Sequence, residues 1–460
     1  MLTYQEALDF LEGSKKRGSV LGLTNMHALM EELGNPQNKI PTIHIAGTNG
    51  KGSVGAYLAS ICKEADLKVA RYCSPAVFDY LECWQYDGRN ITEDEYAKAM
   101  SQVKNACDIL ALRSENPIFP TAFEIETALA FVYFENMQPD VVLLEVGLGG
   151  AMDATNVVDK PLACVFTKIS RDHMQFLGES LTEIATEKAG IMKPGAHVFW
   201  GEQDPEVDAV LQERFAIVEA EGKAQGLLTV RGNVYSNRIQ LISQKPGYMN
   251  FYYLDVEYET RMAGLYQMYN ASLAVSVFDA LWPALVFGMQ DEMILWNDED
   301  VPLGLLLDME YAGKKGVENA VWPGRFEVLQ NNPLFIMDGA HNEDAALQLA
   351  KTIEKSFTNP SLAYIIGVLA DKEHKKMLEI MLPFAKKVYC ITPPNARGLD
   401  AKLLAQEAET VAGSLGYDIA IECCESIKEA KDKALAYATE HENAILAFGS
   451  LSYLGELKNV

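Results

Sequence analysis

The chain has 460 residues, of which 49% are hydrophobic and 22% are charged. These values are ordinary for a soluble globular protein of about two to three domains. The formal net charge is −25, from 39 basic and 64 acidic residues. A field of this sign repels nucleic acid and anionic membranes, so neither is expected as a partner, while a local cluster of cations and backbone N–H groups can still bind small anions.

The chain shows no sign of secretion or of membrane insertion. Its first ten residues carry acidic side chains and no basic region followed by an apolar core, so we expect a cytoplasmic protein. Its eight cysteines are scattered without a CxxC pair, which suits packing residues in a reducing compartment. The apolar segment 271–289 is interrupted by Asp279 and Pro283, and we predict a buried helix followed by a break.

The first part of the chain alternates strand-like runs with helical stretches, which is the pattern of an open α/β sheet. The predicted strands are Thr42–Ala46, Lys68–Tyr72, Asp140–Val146, Leu162–Ile169 and Ala196–Trp200. Polar or glycine-rich segments follow the first four of them. Because ligands bind at the carboxyl ends of parallel strands, we expect these segments to converge.

A glycine-rich turn follows the first predicted strand. Gly47, Gly50 and Gly52 let backbone N–H groups approach phosphate oxygens, Lys51 adds a positive charge, and Ser53 can offer its hydroxyl to Mg²⁺. The spacing departs from the common P-loop, since a glycine separates the lysine from the serine. A connection that needs glycine for its geometry alone is the other interpretation.

Three further side chains are candidates for a magnesium site with Ser53. Glu145 ends an apolar strand, where a carboxylate is costly to bury without a cation. Ser74 follows the second strand and His173 follows the fourth, although a lone histidine is more often a structural residue. Together they predict a mixed oxygen and imidazole site for one or two Mg²⁺ ions beside the phosphates.

Lys188 allows two interpretations. It lies on a helical stretch where the positions three and four residues before it are apolar, so it shares an apolar face. That spacing indicates either a packed amine or an aliphatic stem whose amine reaches water.

The second part of the chain predicts a small antiparallel addition at about 227–259, an acidic run at 290–300 that carries a surface loop, and a second α/β series. The predicted strands of that series are Leu334–Met337, Ala363–Val368, Lys387–Thr392, Asp418–Cys423 and Ala444–Phe448. We place the boundary near residue 320, with an ATP-binding domain at 1–320 and a C-terminal domain at 321–460. Arg325 and the segment Asp338–Asn342 are either ordinary surface groups or part of a site.

Several of these segments resemble the folylpolyglutamate synthase/dihydrofolate synthase branch of the ATP-dependent Mur ligases. The matching segments are His44–Ser53, Leu143–Asn156, Glu187–Gly195, Gln267–Ala274, Trp322–Glu327, Asp338–Asn342 and Ala447–Glu456. The resemblance implies an α/β fold with a P-loop, Mur-ligase-like parallel-sheet N-terminal domain and a smaller Rossmann-like C-terminal domain. It also implies a ligase that adds L-glutamate to the carboxylate of a folate or of dihydropteroate through an acyl phosphate, with ATP and Mg²⁺.

The resemblance also implies roles for individual residues. The implied ATP contacts are Asn49, Gly50, Lys51, Gly52, Ser53, Asn270, Arg325 and Asp338. The implied metal site is Ser53, Ser74, Glu145, His173 and Lys188, with Lys188 carbamylated. The implied catalytic residues are Lys51, Lys188 and His341, and the implied pterin contacts are Leu23, Thr24, Phe123, Glu124, Asp153 and Ala154. Because these residues come from both domains, the resemblance implies that domain closure assembles the site.

The chain departs from the family pattern near the expected pterin pocket. Ala76 and Cys83 stand where relatives commonly have His and Arg, and Thr24-Asn25 replaces a Glu-Arg pair. A Mur-type ligase that acts on a non-folate acid is therefore the alternative, and a P-loop ATPase without ligase activity is a second one. We expect small-molecule substrates (ATP, L-glutamate and a folate or dihydropteroate), no nucleic acid, no membrane and a monomer.

Overall fold

The computed structural model describes residues 1–18, 22–287 and 303–460, so the acidic loop predicted at 290–300 lies outside the described residues. The chain divides into two compact units. The first comprises Met1–Ala76, Tyr80–Ser236 and Asn270–Val317, and the second comprises Val77–Asp79, Asn237–Tyr269 and Glu318–Val460.

The first unit is built on an eight-stranded sheet with the order β4-β3-β2-β5-β1-β6-β7-β8. Its strands are β1 Thr42–Ala46, β2 Val69–Tyr72, β3 Trp84–Tyr86, β4 Arg89–Asn90, β5 Val141–Glu145, β6 Ala163–Phe166, β7 His197–Trp200 and β8 Val230–Arg231. The six neighbouring strands β2, β5, β1, β6, β7 and β8 run parallel to one another. At the other edge, β3 pairs antiparallel with β2, and β4 pairs antiparallel with β3. Every residue of β1, β2, β5 and β6 is buried, because helices cover both faces of such a sheet.

Helices precede, separate and follow these strands along the chain. They are α1 Tyr4–Lys15, α2 Thr24–Glu32, α3 Lys51–Glu64, α4 Glu93–Ala111, α5 Ala122–Met137, α6 Met174–Leu177, α7 Leu181–Ala189, α8 Pro205–Ala224, α9 Tyr266–Phe287 and α10 Leu303–Asn319. Residues of α1, α2, α4 and α5 form one core with β2 and β5, and residues of α7 and α8 form another with β6 and β7.

The predicted break at Pro283 is wrong, because α9 continues through Pro283 to Phe287. A proline inside a helix removes a hydrogen bond and costs about 3 kcal/mol. Phe278 and Leu281 of this helix are buried, and burial of such side chains contributes about 1.5–3 kcal/mol each. The burial of apolar side chains on α9 therefore offsets the energetic cost of Pro283.

The second unit contains two sheets. An antiparallel sheet has the order β11-β10-β9, with β9 Ile239–Lys245, β10 Tyr248–Tyr253 and β11 Val256–Thr260. A six-stranded sheet has the order β12-β13-β17-β14-β15-β16, and only its β12–β13 pair is antiparallel. Its strands are β12 Glu327–Asn331, β13 Leu334–Met337, β14 Leu362–Ile366, β15 Ala385–Cys390, β16 Ala420–Cys423 and β17 Ala444–Phe448.

Helices alternate with the parallel strands of the six-stranded sheet. They are α11 Glu343–Ser356, α12 His374–Met381, α13 Ala401–Leu415, α14 Ile427–His441 and α15 Leu454–Asn459. The buried side chains of α14 and α15 form a core with β13, β14, β15 and β17. Both units are thus mixed α/β structures with largely parallel sheets, and the fold class predicted from the sequence is confirmed.

Candidate active site

The glycine turn lies between β1 and α3 in the first unit. Gly47 has φ 148° and Gly50 has φ 98°, backbone conformations that favour glycine. A Cβ at Gly47 would lie 1.9 Å from Thr167 Oγ1, and one at Gly50 would lie 2.6 Å from Asn270 Oδ1. Space and conformation therefore both require glycine at these two positions, and Asn270 lies against the turn.

Hydrogen bonds fix the turn to the segment that follows β6. The backbone N–H groups of Thr48 and Asn49 both donate to Lys168 O, at 2.9 and 3.1 Å. Thr48 Oγ1 donates to Ser170 O at 2.9 Å. The α3 helix begins at Lys51, and the N–H groups of its first turn have no carbonyl of their own helix to bind. The N-terminus of α3 therefore presents donors and a positive partial charge next to a fixed turn, which suits phosphate.

The Lys51 ammonium is the first cation of the site. Its Nζ donates to Gly47 O at 3.2 Å and lies 3.9 Å from Glu145 Oε1. The side chains of Lys51 and Glu145 are 16% and 11% exposed. Glu145 is the last residue of β5 and lies opposite Ile45 of β1, so the parallel pairing of these strands brings it to the turn.

Lys188 is the second lysine of the site, and the structure shows that it is a packed amine. Its residue is 5% exposed, and Nζ donates to Gly47 O at 3.0 Å. Burial and then the charge of Lys51 lower the pKa of Lys188 to about 7, although nearby carboxylates such as Asp172 oppose the shift. A lysine with such a pKa is partly neutral near pH 7.

The predicted metal residues lie at the end of a strand of this sheet, in segments that follow its strands, or on α3 and α7. Ser53 is buried on α3, and Ser74 lies two residues beyond the end of β2. His173 lies at the N-terminal end of α6, and its Nε2 is 3.9 Å from Asp172 Oδ2. In the part of the chain that the structure describes, no three His, Cys, Asp or Glu side chains form a cluster that could hold a metal ion.

The oxygen donors among these residues would fit Mg²⁺ better than a transition metal. Glu145 would supply one carboxylate and Ser53 one hydroxyl, and hard oxygen donors of this kind suit Mg²⁺, which keeps several waters and binds substrate phosphates. A site with few protein carboxylates is therefore compatible with a magnesium ion that is held largely by phosphate oxygens.

Two of the predicted pterin residues cap local structure. Asp153 is 5% exposed, and its carboxylate accepts hydrogen bonds from the N–H groups of Leu148 and Thr155 and from the Thr155 hydroxyl, at 2.8, 3.0 and 2.5 Å. Glu124 accepts from the N–H of Thr121 at 2.7 Å at the start of α5. Burial raises the pKa of both carboxyls.

The other predicted pterin residues lie on nearby elements of the first unit. The ring of Phe123 covers Gly147, since a Cβ there would lie 2.4 Å from the ring. Ala154 begins a 3₁₀ helix, and Leu23 and Thr24 begin α2. Helices α2 and α5 contribute to the same core.

The predicted residues of the second unit gather around the segment after β13. Asp338 is 3% exposed, and its Oδ2 accepts from Tyr266 OH at 2.6 Å and from Phe326 N at 2.8 Å. Its Oδ1 accepts from Ala340 N at 2.8 Å. The Arg325 guanidinium donates to Gly324 O at 3.0 Å, and a Cβ at Gly339 would lie 2.1 Å from it.

His341 is oriented by a backbone contact. Its Nδ1 lies 2.8 Å from Gly339 O, which requires the proton on Nδ1. Sequence reasoning did not identify Tyr266, the partner of Asp338, because it precedes the matching segment Gln267–Ala274 by one residue and no pattern links it to Asp338.

In the described residues, no helix is both long and apolar enough to span a bilayer.

Two protein-family models match the chain. They are the Mur ligase middle domain, at residues 45–278, and the glutamate ligase domain of Mur ligases, at residues 324–451. The chain is also similar to a Bacillus subtilis protein named dihydrofolate synthase/folylpolyglutamate synthase, with 30% identity over 460 residues. That alignment covers 99% of this chain and 98% of the relative.

Solved structures show the same likeness. A Mycobacterium tuberculosis folylpolyglutamate synthase complexed with ADP and AMPPCP matches with a TM-score of 0.81 and 26% identity, covering 99% of this chain and 98% of that one. The E. coli FolC protein in complex with DHPP and ADP matches with a TM-score of 0.76 and 27% identity, covering 100% and 97%. The resemblance predicted from the motifs is confirmed: the chain belongs to the Mur ligase family, as a ligase of the dihydrofolate synthase/folylpolyglutamate synthase branch.

Proposed function

We propose that this chain uses ATP to join L-glutamate to the carboxylate of a folate, of dihydropteroate, or of both. The observation that carries the proposal is the gathering of Lys51, Glu145 and Lys188 around the glycine turn at the carboxyl edge of the first unit's sheet. The end-to-end similarity to relatives that bear these names supports the choice of substrates.

The reaction needs activation because a carboxylate is a poor acyl donor: it resists attack by an amine and has no good leaving group. The γ-phosphoryl group of ATP passes to the substrate carboxylate and forms an acyl phosphate with release of ADP. The amine of glutamate then attacks the acyl carbon, phosphate leaves, and the amine loses a proton. The protein contributes positioning and positive charge rather than covalent chemistry.

The first unit supplies the groups for the nucleotide in this proposal. Asn49, Gly50, Gly52 and Ser53 cradle the phosphates through the turn and the N-terminus of α3, and Asn270 contacts the adenosine. Lys51 acts as a point charge on the transferring phosphoryl group. Its contacts with Gly47 O and Glu145 support this role, because they hold the ammonium at the turn.

Magnesium is the proposed metal, with Glu145 and Ser53 as oxygen ligands and Ser74, His173 and Lys188 completing the site. When bound, Mg²⁺ supplies positive charge to the phosphate oxygens. Lys188 joins the ligands only as a carbamate, which forms on a neutral amine. The lowered pKa of Lys188, to about 7, supports this modification because part of the amine is neutral near that pH.

The second unit and the pterin set complete the proposal. Asp338 contacts adenosine, and Arg325 contacts phosphates. His341 acts near the reacting groups through Nε2, because its Nδ1 faces Gly339 O. Leu23, Thr24, Phe123, Glu124, Asp153 and Ala154 contact the pterin. The domain limits 1–320 and 321–460 also stay predictions.

The test measures ADP release by the purified protein with ATP, Mg²⁺ and L-glutamate. Dihydropteroate, tetrahydrofolate and no pterin are compared, and mass spectrometry of the products counts the added glutamates. We expect Lys51→Met to lower kcat by at least about a hundredfold, because it removes charge stabilisation of the transferring phosphoryl group. Lys63→Met is the matched control, since Lys63 is exposed in the last turn of the same helix.

The products also separate the alternatives. Glutamate added to dihydropteroate shows dihydrofolate synthase activity, and glutamate added to tetrahydrofolate shows tail extension. If no pterin raises ADP release above the background, the folate assignment is wrong. Ala76, Cys83 and Thr24-Asn25 then point to a Mur-type ligase with another acid substrate, and pterin-independent hydrolysis alone would favour a P-loop ATPase.

We also propose a cytoplasmic location and a monomer. All eight cysteines are free thiols, and seven of them are buried, as expected of packing residues in a reducing compartment. The substrates of the proposal are small molecules, which a monomer can bind without a partner.

A further inference from the structure

A cleft of about 380 Å³ opens in the second unit. The turn that joins β9 to β10 forms one wall, the residues after β11 form another, and the segment 320–331 forms the third. Its volume lies near the lower end of small-molecule sites, which begin at roughly 300 Å³. It is therefore large enough for part of a substrate.

Two arginines, Arg261 and Arg325, line this cleft. Arg325 is held in place, since Nη1 donates to Gly324 O and the group lies against Gly339. Arg261 follows β11 and is exposed. Across the described residues, neither guanidinium lies within 4.0 Å of a carboxylate oxygen.

This arrangement is unusual for so acidic a chain. With 64 acidic and 39 basic residues, an arginine readily finds a carboxylate, as Arg238 does with Asp255 at 2.5 Å. The carboxylate that lines the cleft is Glu327, and it is already engaged. It accepts from Gly324 N at 2.8 Å and pairs with Lys458 Nζ at 2.7 Å. The positive charge of the cleft is therefore not neutralised by its own wall.

We propose that Arg261 and Arg325 form a two-guanidinium site for a small polyanion. A guanidinium presents a rigid fork of donors that matches the oxygens of phosphate and carboxylate groups. The identity of the ligand rests on the proposed function, which handles two polyanions: the triphosphate of ATP and a growing tail of glutamate carboxylates. Arg261 is thus a binding residue in addition to those that the motifs indicate.

The experiment compares binding of two probes by the full-length protein. Inorganic tripolyphosphate represents the nucleotide and γ-linked triglutamate represents the tail, and titration calorimetry measures Kd. The variants are Arg261→Gln, Arg261→Lys and, as a matched control, Arg238→Gln. Arg238 is an exposed arginine next to the same antiparallel sheet but does not line the cleft.

We expect Arg261→Gln to weaken binding of at least one probe by about tenfold, because it removes a charge-assisted hydrogen bond. Arg261→Lys should recover part of the affinity, and Arg238→Gln should bind like the wild type. If tripolyphosphate is affected, the KM for ATP should also rise about tenfold with kcat within about twofold. If triglutamate is affected, the KM for a triglutamylated folate should rise and that for a monoglutamate should not.

The proposal is overturned if Arg261→Gln binds both probes as Arg238→Gln does. Its failure is distinct from that of the proposed function. A protein that adds no glutamate, but loses tripolyphosphate binding through Arg261→Gln, supports the cleft and contradicts the ligase assignment. A protein that adds glutamate with unchanged constants in Arg261→Gln contradicts the cleft alone.

Discussion

His44 shows how a residue inside a binding motif can have a structural role. It opens the segment His44–Ser53, but its imidazole is fully buried. Nε2 lies 2.9 Å from Thr155 Oγ1, whose hydroxyl donates to Asp153 Oδ1. The Thr155 oxygen must then accept from Nε2–H, which fixes the neutral tautomer. Among the described residues, Nδ1 has no hydrogen-bond partner, so a proton added there would be buried without an acceptor.

Acid should therefore destabilise the protein through His44. Burial, with a smaller contribution from the charge of Lys193, lowers the pKa of His44 to about 3. The unfolded chain has a pKa of about 6.5, so it binds the proton first, and the free energy of unfolding falls as the pH drops from about 6.5 towards 3. We expect His44→Gln to remove this dependence. The difference in the free energy of unfolding between His44→Gln and the wild type should narrow by up to about 1.4 kcal/mol per pH unit below pH 6.5.

Urea unfolding at about pH 7.5, 6 and 5 measures this difference. His27→Gln is the control, because it replaces a histidine that is exposed on α2. A gap between His44→Gln and the wild type that stays constant from about pH 7.5 to pH 5 would show that His44 is not the acid-sensitive group.

At the scale of single elements, reciprocal capping decides where four helices begin. The capping pairs are Thr3 and Glu6 of α1, Thr92 and Glu95 of α4, Thr121 and Glu124 of α5, and Ser180 and Glu183 of α7. Each follows the Ser/Thr-x-x-Glu pattern, which can be read from the sequence. The resemblance assigned Phe123 and Glu124 to the pterin, so Glu124 has a structural contact in addition to its proposed contact with substrate.

Substitutions can separate these two roles of Glu124. Glutamine serves in a capping box as glutamate does, so Glu124→Gln keeps the cap and removes the charge. We expect it to raise the KM for the pterin substrate by about tenfold. Stability should change by less than about 0.5 kcal/mol, since burial already raises the pKa of this carboxyl. Thr121→Ala, which loses the cap, should cost about 1 kcal/mol.

Steady-state kinetics gives the KM for the pterin substrate, and urea unfolding of the same preparations gives the free energy of unfolding. Glu6→Gln is the matched control, because it alters an equivalent capping box on exposed α1 residues. An unchanged KM in Glu124→Gln would leave Glu124 with its capping role alone and remove it from the pterin set.

The elements that the sequence predicted well are those with long apolar runs. β1, β13 and β17 match the predicted residues, because strands buried on both faces give continuous hydrophobic segments. The strands β3, β4 and β8 were not predicted. They have two or three residues each, too few to show a period, and their pairing depends on neighbouring strands. The burial of Lys188 was also left open, since spacing cannot show whether an amine reaches water.

At the scale of the whole molecule, the repeated alternation of strands and helices predicted two α/β parts. Chain order could not show where the antiparallel sheet packs. We predicted it as an addition to the N-terminal domain, and in the structure Asn237–Tyr269 belongs to the second unit. Contacts with α11 account for this, as Gln244 Nε2 donates to Ser356 Oγ at 2.8 Å and Leu265 N donates to Thr352 Oγ1 at 3.1 Å. Such long-range hydrogen bonds leave no local pattern in the sequence.

Each unit has an apolar core of its own, so we expect the two to unfold in separate steps. Leu129 on α5 belongs to a core of the first unit, Leu349 lies on α11 of the second, and both are fully buried. Substitution of a buried leucine by alanine costs about 2–5 kcal/mol. Leu129→Ala and Leu349→Ala should therefore each lower one thermal transition by on the order of 5–10 °C and leave the other near its original temperature.

Differential scanning calorimetry of the two variants tests this expectation, because the substitutions are chemically identical and differ only in the unit they affect. The transition that responds to Leu129→Ala reports the first unit, and the one that responds to Leu349→Ala reports the second. If both variants lower a single transition by the same amount, the cores are coupled and the protein unfolds as one cooperative structure. The stability of the glycine turn and of the Asp338 segment would then depend on packing throughout the chain rather than on the local core of each unit.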